Sequence, residues 1–214
     1  MKIKVCGITN PKDAKFAVSL GADYLGFIDY ELSPRYIQAS DAEEIIAKLP
    51  VSVISVGVFV NKPLNELKKI QYIFDVLQLH GDEDMAYINE LDVEVWKAFR
   101  VKDEESIKEI KAFDVDGYLL DTFVASQYGG TGKSFDWGLV GSLVEAGVDK
   151  KKIIVSGGIG PENILEAVKT SVFAVDINSK VERMPGKKDK KKLKKLFELF
   201  RDSLKKENHE GLIT

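Results

Sequence analysis

Cysteine is nearly absent from this 214-residue chain: Cys6 stands alone, so no disulfide framework can staple it. Histidine is almost as scarce. His80 and His209, with one thiol, cannot complete a Cys/His zinc site, and no metal is expected. Long hydrophobic runs are missing too. The longest apolar-rich stretch, 51–60, contains two serines and a glycine and is about half the ~20 residues a membrane span needs. The start, Met-Lys-Ile-Lys-Val, is charged without a continuous apolar segment, so no export signal is expected and a cytoplasmic setting is. What the chain does have is 44% apolar and 30% charged residues, the balance of a globular protein with room for a sizeable core. No linker or composition break divides it, so one domain over 1–214 is expected.

Charge is unevenly spread. The net charge is −3, yet 187–206 holds ten basic and three acidic residues. Such a tract can serve nucleic-acid binding. Here Leu193, Leu196, Phe197, Phe200 and Leu204 recur within it at helical spacing. The pattern therefore predicts an amphipathic terminal helix over about 188–206, apolar side packed and lysines solvated, with no nucleic-acid or membrane partner.

Short β-rich runs fall at 3–6, 24–28, 53–60, 76–79, 93–99, 118–120, 153–155 and 173–177. Helical patterns separate them at 11–20, 40–48, 63–71, 84–90, 104–112, 137–146, 161–169 and 188–206. Pro11, Pro63 and Pro161 sit where a first helical residue falls, and Asn10 and Ser40 are plausible caps. Strict alternation implies parallel strands joined by helical crossovers. Eight units in this length predict an α/β fold of the (β/α)₈ TIM barrel type, eight parallel strands alternating with eight helices. An open doubly wound sheet is the competing fold, but it needs only five or six strands. Its dinucleotide fingerprint is imperfect here: Gly158-Ile-Gly160-Pro-Glu-Asn163 has asparagine at the third glycine and lies near the seventh strand rather than the first. A phosphate-binding P-loop fails similarly, because Gln127 stands where the first glycine belongs.

In a barrel the working face is the rim of loops after the strand C-termini. Those ends supply Cys6-Gly7, Gln78-Leu-His80-Gly81, Asp121-Thr122, Ser156-Gly157-Gly158 and Asp176-Ile-Asn178-Ser179, with Arg35 following strand 2. A thiol, a carboxylic acid, an imidazole and a guanidinium thus converge on one rim. Glycines let backbone N–H groups approach an anion, and loops after strands 7 and 8 are a frequent phosphate site in this fold. Gly157, Gly158, Asn178 and Ser179 are therefore candidate phosphate contacts. Read alone, Cys6 serves equally as a small buried hydrophobe and Asp121 as a structural acceptor.

Nine segments in order carry a family likeness: Lys4-Val-Cys6-Gly7-Ile-Thr9, Gly21-Ala-Asp23, Ser33-Pro-Arg35-Tyr36, Val56-Gly-Val-Phe59-Val-Asn61, Gln78-Leu-His80-Gly81, Leu120-Asp121-Thr122, the stretch 128–137, Ser156-Gly-Gly158 and Pro161-Glu-Asn163. The chain resembles phosphoribosylanthranilate isomerases, and the likeness runs from residue 4 to Asp189. It implies tryptophan biosynthesis, an Amadori rearrangement of an aminoaldose phosphate to an aminoketose phosphate, and no metal or organic cofactor. The same likeness implies Asp121 as general acid and Cys6 as general base. Arg35 is then the candidate for the anthranilate carboxylate, since a guanidinium fork matches a carboxylate. His80 lines the substrate, and Gly129, Gly130, Thr131 and Gly132 form a lid. The expected partner is a small phosphorylated substrate, with the protein a monomer or homodimer.

Two departures stand out. Where the family carries an aromatic, a proline and a basic residue before Ser-Pro-Arg, this chain has Asp29, Glu31 and Leu32, and carboxylates there are expected to oppose an anionic substrate. Lys180 replaces a glycine after strand 8, which predicts an uncommon backbone angle or an ammonium contact to phosphate. The alternatives are a related barrel isomerase, such as that of histidine biosynthesis, and a barrel that binds a phosphorylated ligand without converting it. The first generally uses two aspartates, and strand 1 here offers Cys6 instead.

Overall fold

The computed structural model describes residues 1–101, 104–122 and 138–210. Its elements are β1 (Lys2–Val5), α1 (Pro11–Leu20), β2 (Tyr24–Ile28), α2 (Ala39–Ile46), β3 (Ile54–Phe59), α3 (Leu64–Ile70) and β4 (Val76–Leu79). Then follow α4 (Met85–Ile88), β5 (Glu94–Val101), α5 (Glu104–Ile110), β6 (Gly117–Thr122), α6 (Leu139–Glu145), β7 (Ile153–Val155) and α7 (Ile164–Lys169). The chain continues with β8 (Ala174–Ile177), a hairpin of β9 (Glu182–Met184) and β10 (Lys187–Lys188), and α8 (Lys190–Glu210).

Strands β1 to β8 form a closed barrel in chain order, every neighbouring pair parallel. Closure sets Lys4 of β1 beside Asp176 of β8. The eight-strand barrel expected from the alternation is thus observed. Apolar side chains fill both faces of the strands. Outside, buried residues such as Val5, Leu25, Phe27, Leu77, Leu120 and Ile177 pack under the helices; inside, Val56, Val58, Val76, Trp96, Leu119 and Ile154 form a second cluster with Cys6. The lower end is closed by Tyr24, Trp96 and Phe173, whose ring centroids lie 5.0 to 6.3 Å apart. Three aspartates repeat one device at strand starts: Asp23, Asp75 and Asp116 accept the backbone N–H of Ile3, Ser55 and Val95 on the preceding strands. Each ties two consecutive β-units together at the end away from the rim.

Several local expectations are corrected. Asn10 caps α1 as read, its side chain accepting from Asp13 N–H, but Ser40 does not cap α2; Gln38 holds that place without a side-chain bond. Pro63 precedes α3 rather than opening it, and Pro161 lies three residues ahead of α7. There the Gly160 carbonyl already accepts from Asn163 and Ile164, so Pro161 begins a turn that feeds the helix. The terminal helix starts at Lys190, not 188, because Lys187 and Lys188 pair antiparallel with β9. Asp189 then caps it, accepting from Lys191 and Lys192 N–H. As expected, Leu193, Leu196, Phe197 and Phe200 are its buried side. Lys180 adopts no left-handed backbone; among the described non-glycine residues only Asn61 and Ser171 have positive φ. No helix among the described residues is long and apolar enough to cross a membrane.

Candidate active site

One cleft of about 490 Å³ opens at the C-terminal rim of the barrel. Cys6, Arg35, His80, Asp121, Gly157, Gly158, Asn178 and Ser179 all line it, so every described candidate is brought to a single site. Gly129, Gly130, Thr131 and Gly132 fall outside the described residues. Among the described residues no group of His, Cys, Asp or Glu side chains has a metal-holding arrangement.

The corner after β7 turns its backbone through two bare glycines. Gly157 and Gly158 both lie at positive φ, 92° and 64°, which glycine adopts without a Cβ penalty. Asn163 clasps the loop behind them, its amide oxygen accepting from Gly160 N–H at 2.8 Å and its nitrogen donating to the Gly158 carbonyl at 3.1 Å. The residue that spoils the dinucleotide fingerprint is thus what fixes the glycine loop. Lys180 turns away toward Glu162, 3.7 Å off on the surface.

Arg35 is held by its own chain. Its Nε and Nη2 donate to both oxygens of Glu182 at 2.8 to 3.1 Å, so the fork expected for a substrate carboxylate is occupied by a protein one. Glu182 also accepts from Lys188 Nζ at 3.0 Å, and Lys188 reaches the Asn178 side chain at 3.0 Å. Two cations on one buried carboxylate leave this wall net positive. Burial pushes the Lys188 ammonium below the ordinary lysine value, with Glu182 pulling the other way. Gly7, at φ 72°, makes room: a Cβ there would lie 2.6 Å from Asn178 Oδ1 and 2.8 Å from Arg35 Cδ. The feared repulsion from Asp29 is offset by Lys62 at 3.1 Å, and Glu31 is exposed.

A polar network runs from the cleft wall down to Lys4, a residue with no expected role. Lys4 is fully buried and donates to Gln78 Oε1 at 2.7 Å and Asp176 Oδ2 at 2.9 Å. Gln78 Nε2 faces His80 Nδ1 at 3.0 Å, and His80 Nε2 lies 3.3 Å from Asp121 Oδ2. Asp176 Oδ1 is buried without a hydrogen bond among the described residues. Burial pushes the Cys6 thiol above its ordinary value, opposed by the nearby Lys4 and Lys188 charges. Burial likewise raises the Asp176 carboxyl despite Lys4. For Lys4 burial pulls down, yet Asp176 and Cys6 outweigh it and hold the ammonium above its ordinary value. The available signal was Lys4 itself, a charge in mid-strand, two residues before Cys6 and so on the same face.

Comparison with known proteins agrees with this fold. The family model for N-(5'phosphoribosyl)anthranilate (PRA) isomerase matches residues 3–199. The N-(5'-phosphoribosyl)anthranilate isomerase of Citrifermentans bemidjiense is 42% identical over 199 residues, 92% of this chain and 95% of that one. That of Petrotoga mobilis is 43% identical over 203 residues, covering 92% and 96%. Among solved structures, the Thermotoga maritima isomerase in an engineered-monomer form matches with a TM-score of 0.82 at 36% identity, covering 94% of this chain and 99% of that one. A phosphoribosyl anthranilate isomerase bound to reduced 1-(o-carboxyphenylamino)-1-deoxyribulose 5-phosphate matches at 0.81 with 34% identity and the same coverage. With its barrel, rim cleft and sequence all in agreement, the chain belongs to the phosphoribosylanthranilate isomerases of tryptophan biosynthesis.

Proposed function

We propose that the cleft performs the Amadori rearrangement with Asp121 as general acid and Cys6 as general base. The observation that carries the reading is their shared cleft: thiol and carboxylic acid end β1 and β6 and face one space, with the glycine corner of β7 and β8 beside them. Backbone N–H groups at Gly157, Gly158 and Ser179 would take the phosphate and fix the sugar's position. Asp121 would protonate the furanose ring oxygen as its bond to C1 breaks, giving the open iminium. The Cys6 thiolate would then remove the C2 proton, leaving an enolamine that tautomerises to the ketone. Arg35, its fork on Glu182, keeps Nη1 for the anthranilate carboxylate, a single charged donor on a net positive wall. The substrate is thus a small phosphorylated one, and a biosynthetic enzyme of this kind works in the cytoplasm.

The test of the acid is Asp121→Asn, followed through the fluorescence of phosphoribosylanthranilate generated in situ. The amide keeps the shape but has no proton to give, so kcat is expected to fall about 100-fold or more while a reduced product analogue still binds. A kcat within a few-fold of the unsubstituted protein would remove Asp121 from that role. Analogue binding without turnover by the unsubstituted protein would favour a non-catalytic barrel instead.

A further inference from the structure

Lys4 has no surface in the cleft, yet every polar side chain it touches leads there. An ammonium can only donate. Gln78 must therefore present Oε1 to it, which turns the Gln78 NH₂ toward His80 Nδ1. A donor at Nδ1 leaves that nitrogen its lone pair, so the neutral ring carries its proton on Nε2, facing Asp121. On the other side Lys4 and Cys6 are two residues apart on one strand face. A Cβ placed at Gly26 of β2 would lie 2.7 Å from Cys6 Sγ and 3.1 Å from Lys4 Cε, so both groups sit against the same bare glycine. We propose that Lys4 is a positioning residue for the isomerase: its ammonium is the counter-charge to the Cys6 thiolate and, through Gln78, fixes the His80 tautomer opposite Asp121. One buried cation thus serves the base and the acid together. The catalytic part of this rests on the acid–base assignment proposed above; the charge and tautomer parts do not.

The charges around Cys6 are few. Lys4 comes from β1, Asp176 from β8 and Lys188 from β10, while Arg35 with Glu182 approaches from the loop after β2 and the hairpin. Across the cleft stand His80 and Asp121. Lys4 is paired with Asp176 and Lys188 with Glu182, but only Lys4 shares the strand face of Cys6, and its pull on the thiol is the stronger of the two. Burial cost and Lys4 attraction oppose each other at the thiol. Withdrawing Lys4 leaves burial and the Asp176 charge acting in one direction.

Because Cys6 is the only cysteine, ¹³Cβ labelling gives one resonance whose titration reports this thiol alone, with no substrate present. Lys4→Met is expected to move the titration upward by about one pKa unit or more, and Asp176→Asn to move it downward. Lys4→Met leaves Asp176 unpaired and is open to misfolding, so the double variant Lys4→Met with Asp176→Asn is measured too. Compared with Asp176→Asn alone, it should still titrate higher. In ¹⁵N-histidine spectra, His80 of the unsubstituted protein should show the Nε2–H tautomer, and the Lys4 variants a mixture, since Gln78 is then free to turn over. In turnover, kcat near neutral pH should fall about tenfold for each unit of upward shift, with KM unchanged because Lys4 does not touch substrate. An unmoved thiol titration in both Lys4 variants would overturn the proposal, as would an unchanged His80 tautomer. A shifted thiol with an unchanged kcat profile would instead count against Cys6 as the base.

Discussion

Glu182→Gln separates an ion-pair reading of the hairpin from a packing one. The substitution keeps the side chain's shape, so no cavity opens, but it strips the carboxylate from two cations whose side chains are 11% (Arg35) and 0% (Lys188) exposed. Breaking a buried pair by removing one partner costs about 3–5 kcal/mol. Lys188 has an escape, because it can enter the folded state without its proton. From an ordinary lysine value of about 10.4, that release costs at most about 4.6 kcal/mol at pH 7. Burial already holds Lys188 below that value, so the release is cheaper here and caps the loss. The expected destabilisation near neutral pH is therefore about 3–4 kcal/mol, read from urea midpoints at unchanged m-value. Its sign with pH follows. A Lys188 that is neutral when folded and charged when unfolded means that the unfolded chain binds the extra proton. The gap to the unsubstituted protein should then narrow as pH rises from about 7 to 9, by up to about 1.4 kcal/mol per unit. Adding Lys188→Met to Glu182→Gln should recover part of the loss. A loss under about 1 kcal/mol, or one indifferent to pH and to Lys188→Met, would refute this account of the cluster.

Two further outcomes follow from the same geometry. Because burial raises the Cys6 thiol, only a minor fraction is thiolate near neutrality; in an Asp121→Asn background, where no acid titration opposes it, the residual kcat/KM should climb with pH from about 7 to 8.5 by about tenfold per unit, and a flat profile there would contradict a Cys6 base. Gly57→Ala would set a Cβ 2.6 Å from Phe74 Cδ2 and 2.7 Å from the Phe59 ring, both in the packed outer core, and should cost about 1–3 kcal/mol in chemical denaturation; a neutral effect would show that layer to be looser than drawn.

The barrel was legible because each strand is a run of β-formers bounded by turn residues, and alternation with helical periods leaves little else to build. The rim residues were legible for a related reason: each run of β-formers ends in a short polar or glycine-rich segment that marks where the strand meets its loop. What escaped was set by distant neighbours. Lys4 meets Gln78 and Asp176 across 74 and 172 residues of sequence, and only closure of β1 on β8 brings them together. Arg35 looked free for substrate because its partner Glu182 is 147 residues away, in a hairpin of three- and two-residue strands too short and charged to show a period. The helices expected to start at Pro63 and Pro161 begin one and three residues later, since a proline suits a turn ahead of a helix as well as its first position. Lys180 lies in a short helical turn with negative φ, so the expected uncommon backbone angle is not found.

The acid–base pair stands or falls most directly on Cys6→Ser, assayed by the decay of phosphoribosylanthranilate fluorescence beside binding of the reduced product analogue. Serine keeps the size and the hydrogen bonding but cannot ionise near neutral pH, so the account requires intact analogue binding with kcat lowered by about 100-fold or more. Turnover within a few-fold of the unsubstituted protein would mean that the C2 proton leaves to another group, and that Cys6 is only part of the cleft wall.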